Sequence, residues 1–119
     1  MVIEWLDEGK FHRVPKLEPG PPNVYFGDVF SSASQDGLSL LAGSMFLLEQ
    51  IDNPEPAPLY DYEETGVVLK GELHLEDEKG NTAKLFPGDT FFIHRGSSII
   101  FSTPRYAVAY KVGARPKMH

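Results

Sequence analysis

The chain has 119 residues, no cysteine, and 11 basic against 17 acidic residues for a net charge of −6. That length suits one domain with one core, and the lack of cysteine removes disulfides, thiolate zinc sites and cysteine nucleophiles. The acidic balance argues against a nucleic-acid backbone as partner. The longest apolar runs are strand-sized, far below the ~20 residues of a membrane span. The opening MVIEWLDEGK carries acids where a secretory leader carries basic residues. A cytoplasmic protein without membrane or nucleic-acid partners is therefore expected.

Eleven glycines and ten prolines punctuate the chain, and no long window keeps a 3.6-residue apolar period. Residues 1–23 read as an N-terminal arm whose Pro-rich stretch, Lys16 to Asn23, is an extended surface segment. Strands are expected at Val24 to Phe30, over the apolar run Leu38 to Glu49, and over Thr65 to Glu76. Between the last two, Asp52 to Pro58 is a Pro-rich loop placed at one end of a barrel. Asp77 to Asn81 is a polar hairpin turn, followed by strands at Thr82 to Phe86, Thr90 to His94, Ser98 to Ser102 and Tyr106 to Val112. Short strands rich in β-branched and aromatic residues at this spacing predict an all-β barrel or sandwich over residues 24–113. Residues 114–119 read as a loosely held tail.

Two turns are the most informative local features. Pro87-Gly88-Asp89 is a tight turn, and one short strand later Arg95-Gly96-Ser97-Ser98 makes a second. With Glu64 and Gly71 bracketing the strand before them, these turns resemble the two motifs of the cupins. That resemblance implies a single-domain jelly-roll β-barrel. Within the cupins the chain is most similar to the EutQ-like, ethanolamine-utilisation branch, through Gly27-Asp28-Val29, Ala42-Gly43, Tyr62-Glu63-Glu64, Val68 to Leu73 and Gly88 to Pro104.

Metal-binding cupins carry two histidines before the glutamate and a third after the Pro-x-Gly turn of the second motif. Mapped onto this chain, those positions hold Pro58, Tyr60 and Ile99, and only Glu64 is kept. One carboxylate and a phenol make a poor site for a transition metal, which takes three or four N, O or S ligands. The expectation is no metal and no other cofactor, with a metal site built from Glu64, Tyr60 and an incoming histidine as a minor alternative.

Strand alternation puts Glu64 on one face with Tyr60, Tyr62 and Val68. If that face is the barrel interior, Glu64 is a desolvated carboxyl suited to general acid/base work, with Tyr60 and Tyr62 assisting. The competing reading is a structural Tyr–Glu hydrogen bond. Phe101 and Ile99 should line the same cup, with Val68 beside them and Met45 or Leu47 facing from the opposite sheet. Glu63, His74, His94 and His12 read as surface groups, and His119 as tail. Lys16 and Arg105 are weak candidates for anchoring an acidic ligand.

The expected function is metal-independent acid/base chemistry, an isomerisation, dehydration or cyclisation, on a small organic metabolite. A non-catalytic small-molecule-binding or assembly protein is the alternative. The EutQ resemblance separately implies a role in ethanolamine and acetyl-phosphate metabolism. Exposed sheet edges and the habits of related cupins imply a homodimer.

Overall fold

In a computed structural model, residues 4, 6, 14–18, 20–33 and 40–117 are described. The expectations for His12, His119 and residues 38 and 39 lie outside them. The described residues form eight strands: β1 (Val24–Ser31), β2 (Ala42–Glu49), β3 (Glu64–Gly71), β4 (Leu73–Glu76), β5 (Thr82–Leu85), β6 (Thr90–Ile93), β7 (Ile100–Ser102) and β8 (Tyr106–Gly113). They build a five-stranded sheet in the order β1-β2-β8-β3-β6 and a three-stranded sheet in the order β5-β4-β7, all pairs antiparallel. The core fills the space between the sheets: Phe46 of β2 packs at a tilt against Phe101 of β7 with ring centres 5.1 Å apart, and Leu73 of β4 is fully buried. Among the described residues no helix is long and apolar enough to cross a membrane.

The stretch expected as one strand from Thr65 to Glu76 is two, and the break moves the chain from one sheet to the other. Gly71 sits at a φ of 75°, and a Cβ there would lie 2.1 Å from the Tyr106 carbonyl oxygen. Only glycine serves a left-handed backbone pressed this closely on a neighbouring strand. A register shift between Val68 and Lys70 in the pairing of β3 with β8 precedes the break, and the sequence pattern reads straight through both.

The turns behave as their residues predict. The Asn81 side-chain amide donates to Asp77 Oδ2 at 3.0 Å, and the Asn81 and Lys79 backbone amides donate to Oδ1, both at 2.9 Å; these bonds, the side-chain one foremost, hold the Asp77 carboxyl below the usual aspartate range. In the Pro87-Gly88-Asp89 turn, Asp89 Oδ2 accepts from the Phe86 amide at 2.8 Å, while the Gly88 amide donates to the Val68 carbonyl. The Gly96 turn, with φ at 92°, reaches further: its amide donates to the Tyr60 carbonyl at 2.8 Å, and the Tyr60 amide donates to the Ser97 carbonyl at 3.0 Å. This second motif therefore fixes the backbone that carries Tyr60.

Ala114 and Arg115, directly after β8, are anchored to the barrel. Arg115 is buried, donates two hydrogen bonds to Asp28 at 2.9 and 2.7 Å and a third to Ser44 Oγ at 3.0 Å. The Ala114 amide also donates to the Glu63 carbonyl. A bidentate Arg–carboxylate bond of this kind is among the stronger polar contacts available to a protein.

Candidate functional site

Both Pro-rich stretches border one cavity of about 470 Å³ at an open end of the barrel. The loop through Pro54 and Leu59 forms one wall, as expected for a mouth loop. The arm expected to lie on the surface forms another through Leu17 and Pro21. It is held there by the Lys16–Tyr25 bridge and by the Phe26 amide, which donates to the Pro15 carbonyl. Proline suits such walls, since it leaves no amide donor to satisfy in an apolar setting.

The strands supply the floor. Phe26 of β1, Phe46 of β2 and Phe101 of β7 line it together with Lys111 of β8. The Lys111 ammonium lies 4.0 Å from the Phe46 ring centre, 4.7 Å from Phe101 and 5.2 Å from Phe26. Ring faces attract a cation, so the aromatic floor doubles as a partial cage. Lys111 Nζ is also 3.3 Å from Glu64 Oε1, with 3% of the lysine and 1% of the glutamate side chain exposed. The Tyr60 hydroxyl donates to the same Glu64 oxygen at 2.9 Å. Among the described residues, Glu64 Oε2 is buried without a hydrogen-bond partner.

The predicted trio of Glu64, Tyr60 and Tyr62 is thus brought together, with a difference in depth. Tyr60 and Tyr62 line the cavity, their rings 5.2 Å apart, whereas Glu64 lies behind Tyr60 and Lys111 and does not form part of the wall. Burial first, and then the Glu64 charge, push the Tyr60 phenol far above its ordinary range. Tyr62 is raised for the same two reasons, partly offset by Arg115, whose guanidinium centre is 5.4 Å from the Tyr62 ring centre. Both phenols therefore remain protonated donors. Burial pulls the Lys111 ammonium below the ordinary lysine range, and Glu64 offsets only part of that pull.

The expected lining is only partly right. Phe101 lines the cavity; Val68 and Ile99 pack in the same core cluster without forming its wall. Met45 and Leu47 are the clear errors. Phe46 points into the cavity, so by strand alternation its two neighbours face the other side of the sheet, where Met45 is fully buried. Because β2 is apolar on both faces, its composition does not reveal which phase points inward. Lys111 was missed altogether, yet it carried a signal. It falls in phase with Ala107 and Ala109, both buried on β8, and a charge in a buried phase needs an opposite charge nearby. Glu64 is that charge.

Other candidates lie elsewhere. His94 is 78% exposed, 3.5 Å from the half-exposed Glu63, and His74 pairs with Glu72. Neither histidine lines the cavity, and Lys16 and Arg105 are exposed and not part of its lining. Among the described residues no group of three or more His, Cys, Asp or Glu side chains converges. At the cupin metal position, Pro58 and Ile99 have no donor atoms, Tyr60 is hydrogen-bonded to Glu64, and Lys111 Nζ stands where a cation would approach the carboxylate. These residues do not fit a transition metal.

The family model described as ethanolamine utilisation protein EutQ matches residues 2–113. The chain belongs to the EutQ family. Among curated relatives, Acetate kinase EutQ of Salmonella typhimurium strain LT2 is 46% identical over 70 residues, covering 59% of this chain. Acetate kinase EutQ of Escherichia coli strain K12 is 38% identical over 97 residues, covering 79%. The chain spans only 28% and 36% of the length of these two EutQ relatives. The crystal structure of a putative ethanolamine utilization protein Q from Salmonella typhimurium LT2 superposes with a TM-score of 0.66 at 32% identity, covering 88% of this chain and 80% of that one. The cupin domain of Schizosaccharomyces pombe Cnp3, 14% identical with a TM-score of 0.61 over 76% of this chain and 64% of that one, shares the fold alone. This EutQ-family chain is therefore all-β and has the fold of a cupin domain, as its two glycine turns predict.

Proposed function

We propose that this chain is the cupin portion of an ethanolamine-utilisation protein, and that its barrel mouth binds a small, neutral or weakly polar organic molecule on which Glu64 performs proton transfer. Tyr62 acts as a hydrogen-bond donor toward an oxygen that gains negative charge, Tyr60 gives its one hydroxyl proton to Glu64 and orients that carboxyl, and Lys111 relays a proton between the cavity and Glu64. The observation that carries this reading is the buried Tyr60–Glu64–Lys111 chain, at 2.9 and 3.3 Å, at the floor of an aromatic-walled cavity of about 470 Å³. A purely structural position would not favour a buried carboxyl with one oxygen unpartnered, which costs stability.

The name acetate kinase belongs to the longer relatives. Phosphate recognition calls for unpaired cationic or backbone N–H donors. The described rim of this cavity instead carries Glu18, Glu55 and Asp61, and its lysine is paired with Glu64. We therefore assign the cupin chain to the organic ligand rather than to a nucleotide. A homodimer is part of the proposal: β6 is an outer strand of the five-stranded sheet, and its Phe92 is 54% exposed.

The test is a screen of small carbonyl compounds and polyols by thermal shift and by turnover, with acetate plus ATP in parallel. A neutral organic compound should stabilise the protein and be turned over, and Glu64→Gln should remove turnover while circular dichroism stays native. Turnover that survives Glu64→Gln would sink the assignment.

A further inference from the structure

Lys111 is the one described residue that presents a nitrogen nucleophile to the cavity floor. Its amine has a hydrogen-bonding carboxyl at 3.3 Å to take and return protons, a phenol bonded to that same carboxyl, and the Phe46 and Phe101 ring centres at 4.0 and 4.7 Å. We infer that Lys111 forms an imine with the carbonyl carbon of a small aldehyde or ketone bound in the cavity. The inference rests on the reading that the cavity takes a small organic molecule, and it names the class: an apolar carbonyl compound.

The step balances within the residues present. Lys111 passes a proton to Glu64 and becomes a free amine, and its lone pair attacks the carbonyl carbon. The carbonyl π pair moves to oxygen, which takes the proton back from Glu64. Nitrogen then gives up a second proton to Glu64, and Glu64 delivers it to the hydroxyl, which leaves as water while the nitrogen lone pair closes the C=N bond. The net change is lysine ammonium plus carbonyl compound to protonated imine plus water. Tyr60 holds the carboxyl in place throughout. The rings wall the amine from bulk water, and burial favours its neutral, nucleophilic form.

The experiment uses the whole chain at pH 7 with benzaldehyde or propanal and cyanoborohydride, which reduces an imine to a stable secondary amine. Peptide mapping by mass spectrometry then compares Lys111 with Lys16, Lys70, Lys79, Lys84 and Lys117, all exposed. An exposed lysine is almost wholly protonated at this pH, so Lys111 should label at least about tenfold faster. That preference should vanish in denaturing urea, and Lys111→Arg should lose the adduct. Labelling of the exposed lysines with Lys111 untouched in the folded protein would overturn the inference. If the aldehyde still raises the melting temperature in that case, the binding reading stands and only the imine fails; if it does not, both fail.

Discussion

The buried Glu64–Lys111 pair makes a prediction in which the sign of one substitution depends on its partner. At 3.3 Å with both side chains at least 97% out of water, neither group has solvent to fall back on when the other is removed. Lys111→Met strands the carboxylate, and removing one partner of a buried pair costs about 3–5 kcal/mol. Set against a total stability of about 5–15 kcal/mol for a domain of this kind, that leaves the fold marginal. The melting temperature should fall by about 12–20 °C at roughly 4 °C per kcal/mol. Glu64→Gln is milder in the native protein: the amide oxygen still accepts from Tyr60, and Lys111 sheds its proton, for a cost of about 1–3 kcal/mol. In the Lys111→Met background the same Glu64→Gln change removes the stranded charge and should restore about 1–3 kcal/mol. Urea titrations of all four proteins at pH 7, with equal m-values, measure the cycle. If Glu64→Gln destabilises both backgrounds alike, to within about 0.5 kcal/mol, the pair is not coupled and the electrostatic account of the site is wrong.

Other expectations concern the framework around the pair. Arg115→Ala should destabilise the fold by about 3–5 kcal/mol, since it leaves Asp28 buried beside Ser44 without its guanidinium. Because Arg115 also packs on Tyr62, the same variant should weaken ligand binding, read by titration calorimetry under conditions where it stays folded. Gly71→Ala should cost more than about 2 kcal/mol by thermal denaturation, as it combines a left-handed φ with a backbone collision. Tyr60 gives a pH signature. Its phenol is held above the ordinary 10.0, so the folded state keeps a proton that the unfolded chain loses. Its stabilisation is complete below pH 10 and is lost as the pH climbs beyond that. Tyr60→Phe should flatten that alkaline limb, whereas an unchanged limb would place the phenol in water.

How much was legible beforehand differs from element to element. The all-β class, the turns at Asp77, Gly88 and Gly96, and the association of Glu64 with Tyr60 and Tyr62 all follow from local chemistry. Turn residues, β-branched runs and two-residue alternation act over a few positions, so the chain displays them directly. Three features needed the folded molecule. The inward phase of β2 was ambiguous because both its faces are covered, which made Met45 and Leu47 poor choices and hid Phe46. The break at Gly71 is set by the Tyr106 carbonyl from another strand. The counterion of Glu64 lies 47 positions away on β8 and meets it only because β3 and β8 are hydrogen-bonded neighbours. What the residues determined alone was which groups could form turns, strands and a buried carboxyl site. What tertiary structure decided was which charge sits beside that carboxyl, because a cation can enter an apolar core only where long-range strand pairing delivers its partner.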